Sequence, residues 1–203
     1  MKKNKISKNW INRQKRDIYV RQSKIEGFKS RAVYKLKEID EKFKIFKGVS
    51  SVVDLGAAPG SWSQYAANKI KSENILSIDL LNFEKIKNSY KIVGDFTDET
   101  YKKAIRKYFG KKINLIISDM AVNTIGNKDV DSIVTGELCK EAMKFAKEEL
   151  EKNGIFVSKI FMGSGFNEIV AQAKKSFKDV RVFKPSASRK NSKETFIICK
   201  FLR

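Results

Sequence analysis

Residues 51–62 read SVVDLGAAPGSW, a short apolar run, then a loop of small residues, then the start of a helix-forming stretch. Small residues at the carboxyl end of a strand let a ligand approach the backbone closely, and that edge is where open α/β sheets bind their ligands. A dinucleotide loop, G-x-G-x-x-G, would place a glycine where Ala58 stands between Gly56 and Gly60. A phosphate loop would end in Gly-Lys-Ser or Gly-Lys-Thr, whereas Gly60 is followed by Ser61 and Trp62. Phosphate is therefore not the obvious guest of this loop.

Outward from the loop, short apolar runs alternate with helical stretches, the pattern of a parallel sheet with crossover helices. Strands are expected at SVVDL, NILSID, YKIVGD, INLIISD, GIFVSKI, VRVFK and ETFIICKF. Helices are expected at SWSQYAANKI, DETYKKAIRKYF, TGELCKEAMKFAKEELEK and FNEIVAQAKKSF. The last two strands are joined without a convincing helix, so the final strand should return antiparallel in a seven-stranded, mostly parallel sheet. Upstream, SRAVYKLKEIDEKF reads as an amphipathic helix with Val33, Leu36, Ile39 and Phe43 at helical spacing, and with Ser30 or a neighbour as its cap. Lys35 lies off that apolar stripe.

Acidic residues recur where the strands end. Asp54 precedes the glycine loop and Asp79 closes the second strand, which describes a ligand with a ribose to be hydrogen-bonded and a positive group to be balanced. S-adenosylmethionine has both and carries no phosphate. Asp95, in GDF after the third strand, is placed to accept from an adenine amino group. An adenine dinucleotide held by a degenerate motif is the other reading. Trp62 is either a lid contact to the ligand or core packing. Asp119 ends the fourth strand, Lys159 sits among apolar residues of the fifth, and Glu194 opens the last. Charges in strand-like runs are costly unless paired, so an ion-pair group is expected.

The chain has 203 residues, 41% of them hydrophobic and 33% charged, enough for one α/β core and little else. Forty-three Lys and Arg against 23 Asp and Glu leave a net charge of +20, which points to a polyanionic partner. Residues 1–50 hold 16 of those basic residues against five acidic ones, with Trp10, Tyr19, Phe28 and Tyr34 among them. Aromatic faces among cations suit stacking on unpaired bases, and packing on the core is the alternative for each ring. Residues 1–29 are accordingly read as a basic RNA-contacting segment and 30–203 as the catalytic domain. No run approaches the roughly 20 apolar residues of a membrane span, and MKKNKISKNW lacks the apolar stretch of a secretory signal, so a cytoplasmic protein is expected. The chain has two cysteines and no histidine, which argues against a disulfide framework and a zinc site and excludes a His-based triad. Proton chemistry would fall to Lys, Asp, Glu or Tyr.

SRAVYKLKEID, DLGAAPGSWSQ, the aspartate of GDF, SDMA, VSKIF and SRKNSKETFIIC occur together in this order. In this the chain resembles the FtsJ-like ribosomal RNA 2′-O-methyltransferases, the ribosomal RNA large subunit methyltransferase E family, from about Trp10 to the C-terminus. The resemblance implies a Rossmann-like S-adenosylmethionine-dependent methyltransferase with helices on both faces of the sheet. It implies a Lys-Asp-Lys-Glu tetrad at Lys35, Asp119, Lys159 and Glu194, and donor contacts at Gly60, Trp62, Asp79, Asp95 and Asp119. It further implies, as target, a uridine in the A-loop of large-subunit ribosomal RNA, presented by an assembled or nearly assembled large subunit; the chemistry needs no metal, and a monomer is expected. After SDMA the chain reads Val122, Asn123, Thr124, Ile125, Gly126, where many members have Pro-Asn, a departure in a loop that borders the substrate. A transfer RNA or mRNA cap substrate is the alternative within the same chemistry, although 203 residues leave little room for a cap-binding slot. A non-catalytic ribosome-assembly protein is the alternative outside it, and such a binder has no evident use for an ionic tetrad.

Overall fold

The computed structural model describes residues 16–70, 74–120 and 128–203. Trp10 and the 122–126 stretch lie outside them. The described elements run α1 (Ile18–Ile25), α2 (Val33–Phe43), β1 (Val52–Leu55), α3 (Ser61–Lys69), β2 (Ile75–Asp79), β3 (Tyr90–Val93), α4 (Glu99–Phe109), β4 (Ile113–Ser118), α5 (Lys128–Glu149), β5 (Leu150–Phe161), α6 (Phe166–Ser176), β6 (Phe177–Phe183) and β7 (Glu194–Leu202). The seven strands form one sheet in the order β3-β2-β1-β4-β5-β7-β6. Neighbours from β3 to β5 pair parallel, and β7 inserts antiparallel to both β5 and β6. The expected return of the final strand is therefore observed.

Alternation along the buried strands divides their side chains between two cores, because successive residues point to opposite faces. Val53, Ile116 and Phe156 join Ile105 of α4, Met143 and Phe145 of α5 and Ile169 of α6. Val52, Leu115, Ile117 and Val157 join Leu36 and Ile39 of α2 and Tyr65 of α3 on the other face. Helices thus cover both faces, as expected. The strand order reverses between β1 and β4, and the crevice at the carboxyl ends of those two strands is the position such sheets offer to ligands.

Several boundaries differ from the sequence reading. The helical pattern expected from Thr135 to Lys152 begins earlier, at Lys128, and stops at Glu149, because Leu150 is drawn into the sheet opposite Ile113. Phe177, read as helical, instead opens β6 opposite Leu202. Ser30 does not cap α2. Its hydroxyl is shared with that of Ser61 at 2.8 Å, and Ala32 occupies the cap position without a side-chain bond.

The described part of the N-terminal segment lies against the second core. Asp17 caps α1 through the amide of Tyr19 and pairs with Arg31. Tyr19 and Phe28 both meet the ring of Tyr34, with centroids 5.3 and 6.5 Å away. Among the described residues no helix is long and apolar enough to cross a membrane.

Candidate active site

The loop after β1 leads to a cleft of about 640 Å³ at the sheet's carboxyl edge, with Gly56, Asp79, Asp95, Phe96, Asp119 and Met120 among its walls. Gly56 has φ +73°, and a Cβ there would stand 2.2 Å from Cγ of Met120, so glycine is required both by conformation and by space. Asp79 braces two walls at once: one carboxylate oxygen accepts from the amide of Ala58 at 2.8 Å, the other from the amide of Leu81 at 2.8 Å. Asp95 accepts from the amide and hydroxyl of Thr97 at 2.9 and 2.7 Å. Gly60, at φ +108°, begins α3, and a Cβ on it would meet Ile86 at 2.6 Å.

Asp54 and Trp62 sit elsewhere. Both line an adjoining pocket of about 40 Å³, which shares Gly56, Ala58 and Asp119 with the cleft. Asp54 is only 1% exposed and accepts from Ser63 at 2.6 Å, while Ser63 shares a second contact with Ser77 at 2.7 Å. Burial pushes the Asp54 carboxyl up to about 7, opposed by the Ser63 bond and assisted by the nearby Asp119 and Asp79. Trp62 donates its indole N–H to the carbonyl of Ala32 at 2.8 Å and packs on Phe196, so its ring belongs to the second core.

Lys35, Asp119, Lys159 and Glu194, drawn from α2, the end of β4, β5 and the start of β7, converge. Lys35 Nζ donates to both carboxylate oxygens of Asp119, at 3.0 and 2.8 Å, and to Glu194 Oε2 at 3.1 Å. Lys159 Nζ donates to the main-chain carbonyl of Asp119 at 2.6 Å and stands 3.1 Å from its Oδ1. The two amines are not equivalent. Burial works to lower Lys35, but Asp119 and Glu194 outweigh it and hold the amine above its usual value. At Lys159 burial dominates, Lys35 adds to it, and the amine is lowered despite Asp119 and Glu194. Burial alone would raise the Asp119 carboxyl, but the lysines facing it hold it low. A buried amine that gives up its proton more readily than an ordinary lysine, beside one that keeps it more firmly, is suited to accepting a proton from a bound hydroxyl.

The profile of the FtsJ-like methyltransferases matches residues 28–202. The chain belongs to this family. It is 63% identical over 203 residues to the ribosomal RNA large subunit methyltransferase E of Pelagibacter ubique, covering the whole of both chains. With the protein of the same name from Rickettsia bellii it shares 46% over 198 residues, 95% of this chain and 87% of that one. Among solved structures, one described as a ribosomal RNA methyltransferase of Plasmodium falciparum superposes with a TM-score of 0.78 at 30% identity, over 86% of this chain and 98% of that one. The protein is therefore an enzyme of methyl transfer.

Around the tetrad of this FtsJ-like methyltransferase stand residues that sequence reasoning missed. Ser188, 5% exposed, donates to Glu194 Oε1 at 2.7 Å. Glu38 receives the amides of Ser186 and Ala187 at 2.6 and 2.7 Å. Only the spacing of Glu38 one helical turn after Lys35 could have marked it, and nothing local marks Ser188.

Proposed function

We propose that the protein takes a methyl group from S-adenosylmethionine and places it on a ribose 2′-hydroxyl of large-subunit ribosomal RNA, on a uridine of the A-loop. The observation that carries this reading is the position of Asp119, which lines the cleft while bonding both lysines of the tetrad. The names of the full-length relatives support the RNA class.

The cleft fits such a donor. Its volume lies within the roughly 300 to 1,000 Å³ of small-molecule sites, and it offers carboxylate acceptors at Asp79 and Asp95 beside apolar walls at Ile78, Phe96 and Met120. We assign Asp79 to the ribose hydroxyls and Asp95 to the adenine amine. Gly56 and Gly60 keep the loop close to the donor, Asp119 borders the methyl-bearing end, and Asp54 and Trp62 support the loop from the smaller pocket. When bound, S-adenosylmethionine supplies a methyl group already activated on a sulfonium. Lys35 stays charged and fixes Asp119 and Glu194. Lys159, oriented by the Asp119 carbonyl and with its proton affinity lowered by burial, accepts the proton of the 2′-hydroxyl as the methyl group leaves its sulfur and the new oxygen–carbon bond forms. No step calls on a metal.

Residues 1–29 meet RNA phosphates, and the protein acts in the cytoplasm as a monomer on the large subunit. The test is transfer of a tritiated methyl group to isolated large subunits, followed by mapping of the modified nucleotide. Label on an A-loop uridine ribose is expected. Label on a base, or subunits left unlabelled while transfer RNA offered in a parallel reaction is labelled, would overturn the reading.

A further inference from the structure

A closed ring of contacts runs through the tetrad and back to its own helix. Lys35 and Glu38 lie one turn apart on α2. Lys35 bonds Glu194 Oε2 at 3.1 Å, and Glu194 Oε1 accepts from Ser188 at 2.7 Å. Ser188 sits on a turn closed by its own amide on the carbonyl of Pro185 at 3.0 Å. That turn is gripped by Glu38 through the amides of Ser186 and Ala187, and by Arg31 through the carbonyl of Ala187. The helix that presents Lys35 thus also anchors the turn that presents Ser188.

We propose that Ser188 is a positioning residue for methyl transfer, which fixes the Glu194 carboxylate and through it the Lys35 amine. The inference rests on the tetrad chemistry proposed above. The three N–H donors of Lys35 meet three acceptors, two on Asp119 and one on Glu194. A glutamate with one oxygen released can rotate about its side-chain bonds, and Lys35 then loses one of its three anchors. Asp119, which Lys35 holds, is also the residue that orients Lys159. The hydroxyl's part is separable from the fold, because the turn is held through main-chain atoms by Glu38, Arg31 and Pro185, none of which touches Ser188 Oγ.

The test compares wild type, Ser188→Ala, Ser188→Thr, Glu194→Ala and the double variant Ser188→Ala with Glu194→Ala, in methyl transfer to large subunits. Ser188→Ala is expected to lower kcat by about 10- to 100-fold through misalignment, with KM and donor Kd within about twofold of wild type. Ser188→Thr, which keeps the hydroxyl, should recover most of the loss. In the Glu194→Ala background the serine change should cost nothing further, since it acts through that carboxylate. A kcat for Ser188→Ala equal to wild type, or losses that multiply in the double variant, would overturn the proposal. Unfolding midpoints of the two single variants and the double variant give a readout without substrate: non-additive shifts are expected, and additive ones would also overturn it. Should wild type itself leave ribosomal RNA unlabelled, the proposed function fails, whereas the unfolding cycle still decides whether Ser188 holds Glu194.

Discussion

Lys159 is held by the backbone of Asp119 more closely than by its carboxylate: Nζ lies 2.6 Å from the main-chain oxygen and 3.1 Å from Oδ1. A neutral amine can keep the carbonyl bond with an N–H while its lone pair remains available, which a full ion pair would not allow. Under the proposed chemistry Lys159→Ala should remove about 10²- to 10⁴-fold of the methyl-transfer rate while leaving donor affinity nearly intact. Lys159→Arg carries a charge it cannot give up and so cannot accept the proton, and it should be nearly as slow; substantial activity in that variant would instead make Lys159 a charged steering group.

The pH dependence of the rate follows from the same amine. Because burial lowers Lys159, kcat should rise with pH through a midpoint below the ordinary lysine value and then level off. A profile that falls across this limb, or that keeps the limb unchanged in Lys159→Arg, would remove Lys159 as the proton acceptor.

Asp54 makes a prediction about stability. Its carboxyl, raised to about 7 in the fold, holds a proton that the unfolded chain releases near 3.9, so the folded state binds more protons across that window. Stability from this group is present below about 4 and is lost as pH rises towards 7, by up to about 4 kcal/mol. Asp54→Asn, neutral throughout, should gain on wild type between pH 5 and pH 8 in denaturant unfolding. A difference independent of pH would show that Asp54 does not titrate there.

For the cleft, Asp79→Ala and Asp95→Ala should each weaken S-adenosylmethionine binding by about 1.5 to 3 kcal/mol, the usual loss of a hydrogen bond to a charged group. Asp79→Ala should also lower the unfolding midpoint more, since it releases the amides of both Ala58 and Leu81. Calorimetric titration decides, and unchanged affinity in both variants would sink the assignment.

Two glycines separate backbone strain from crowding. Gly27 and Gly56 have φ of +74° and +73°, but a Cβ on Gly27 meets nothing within 4 Å whereas one on Gly56 meets Met120 at 2.2 Å. Gly27→Ala should therefore cost only the left-handed penalty of about 1 to 2 kcal/mol, and Gly56→Ala more, with donor affinity reduced as Met120 is displaced into the cleft. Equal costs in denaturant unfolding would contradict this.

Residues 1–15 carry six Lys and Arg. Deleting them spares Asp17 and its bond to Arg31, and should flatten the salt dependence of RNA binding by up to about 4 in log–log slope, at roughly 0.7 per phosphate contact. A truncated protein with the full slope would leave this segment no role in RNA contact.

The alternation of apolar runs and helical stretches after Gly48 determined the sheet, and the missing helix before ETFIICKF determined its antiparallel return, because both depend on periodicities of two and of 3.6 residues that are local to the chain. Asp119, Lys159 and Glu194 were legible as charges out of place in strands, whereas Lys35, on a helix off its apolar stripe, joined them only through the family resemblance. Leu150 was misplaced in a helix because its neighbours Glu148, Glu149, Glu151 and Lys152 favour one, and only pairing with Ile113 draws it into β5. Asp54 read as a ligand contact from its place before the loop, and only the packing of Ser63 and Ser77 puts it beneath the surface. Ser188 left no local mark, and Glu38 only its place one turn after Lys35: Glu38 meets Ser186 across 148 residues, and Lys35 meets Glu194 across 159. The proton affinities of the two lysines were beyond the sequence for the same reason. Burial and opposite charge pull an amine in contrary directions, and which prevails at Lys35 and which at Lys159 depends on distances that exist only once the chain has folded.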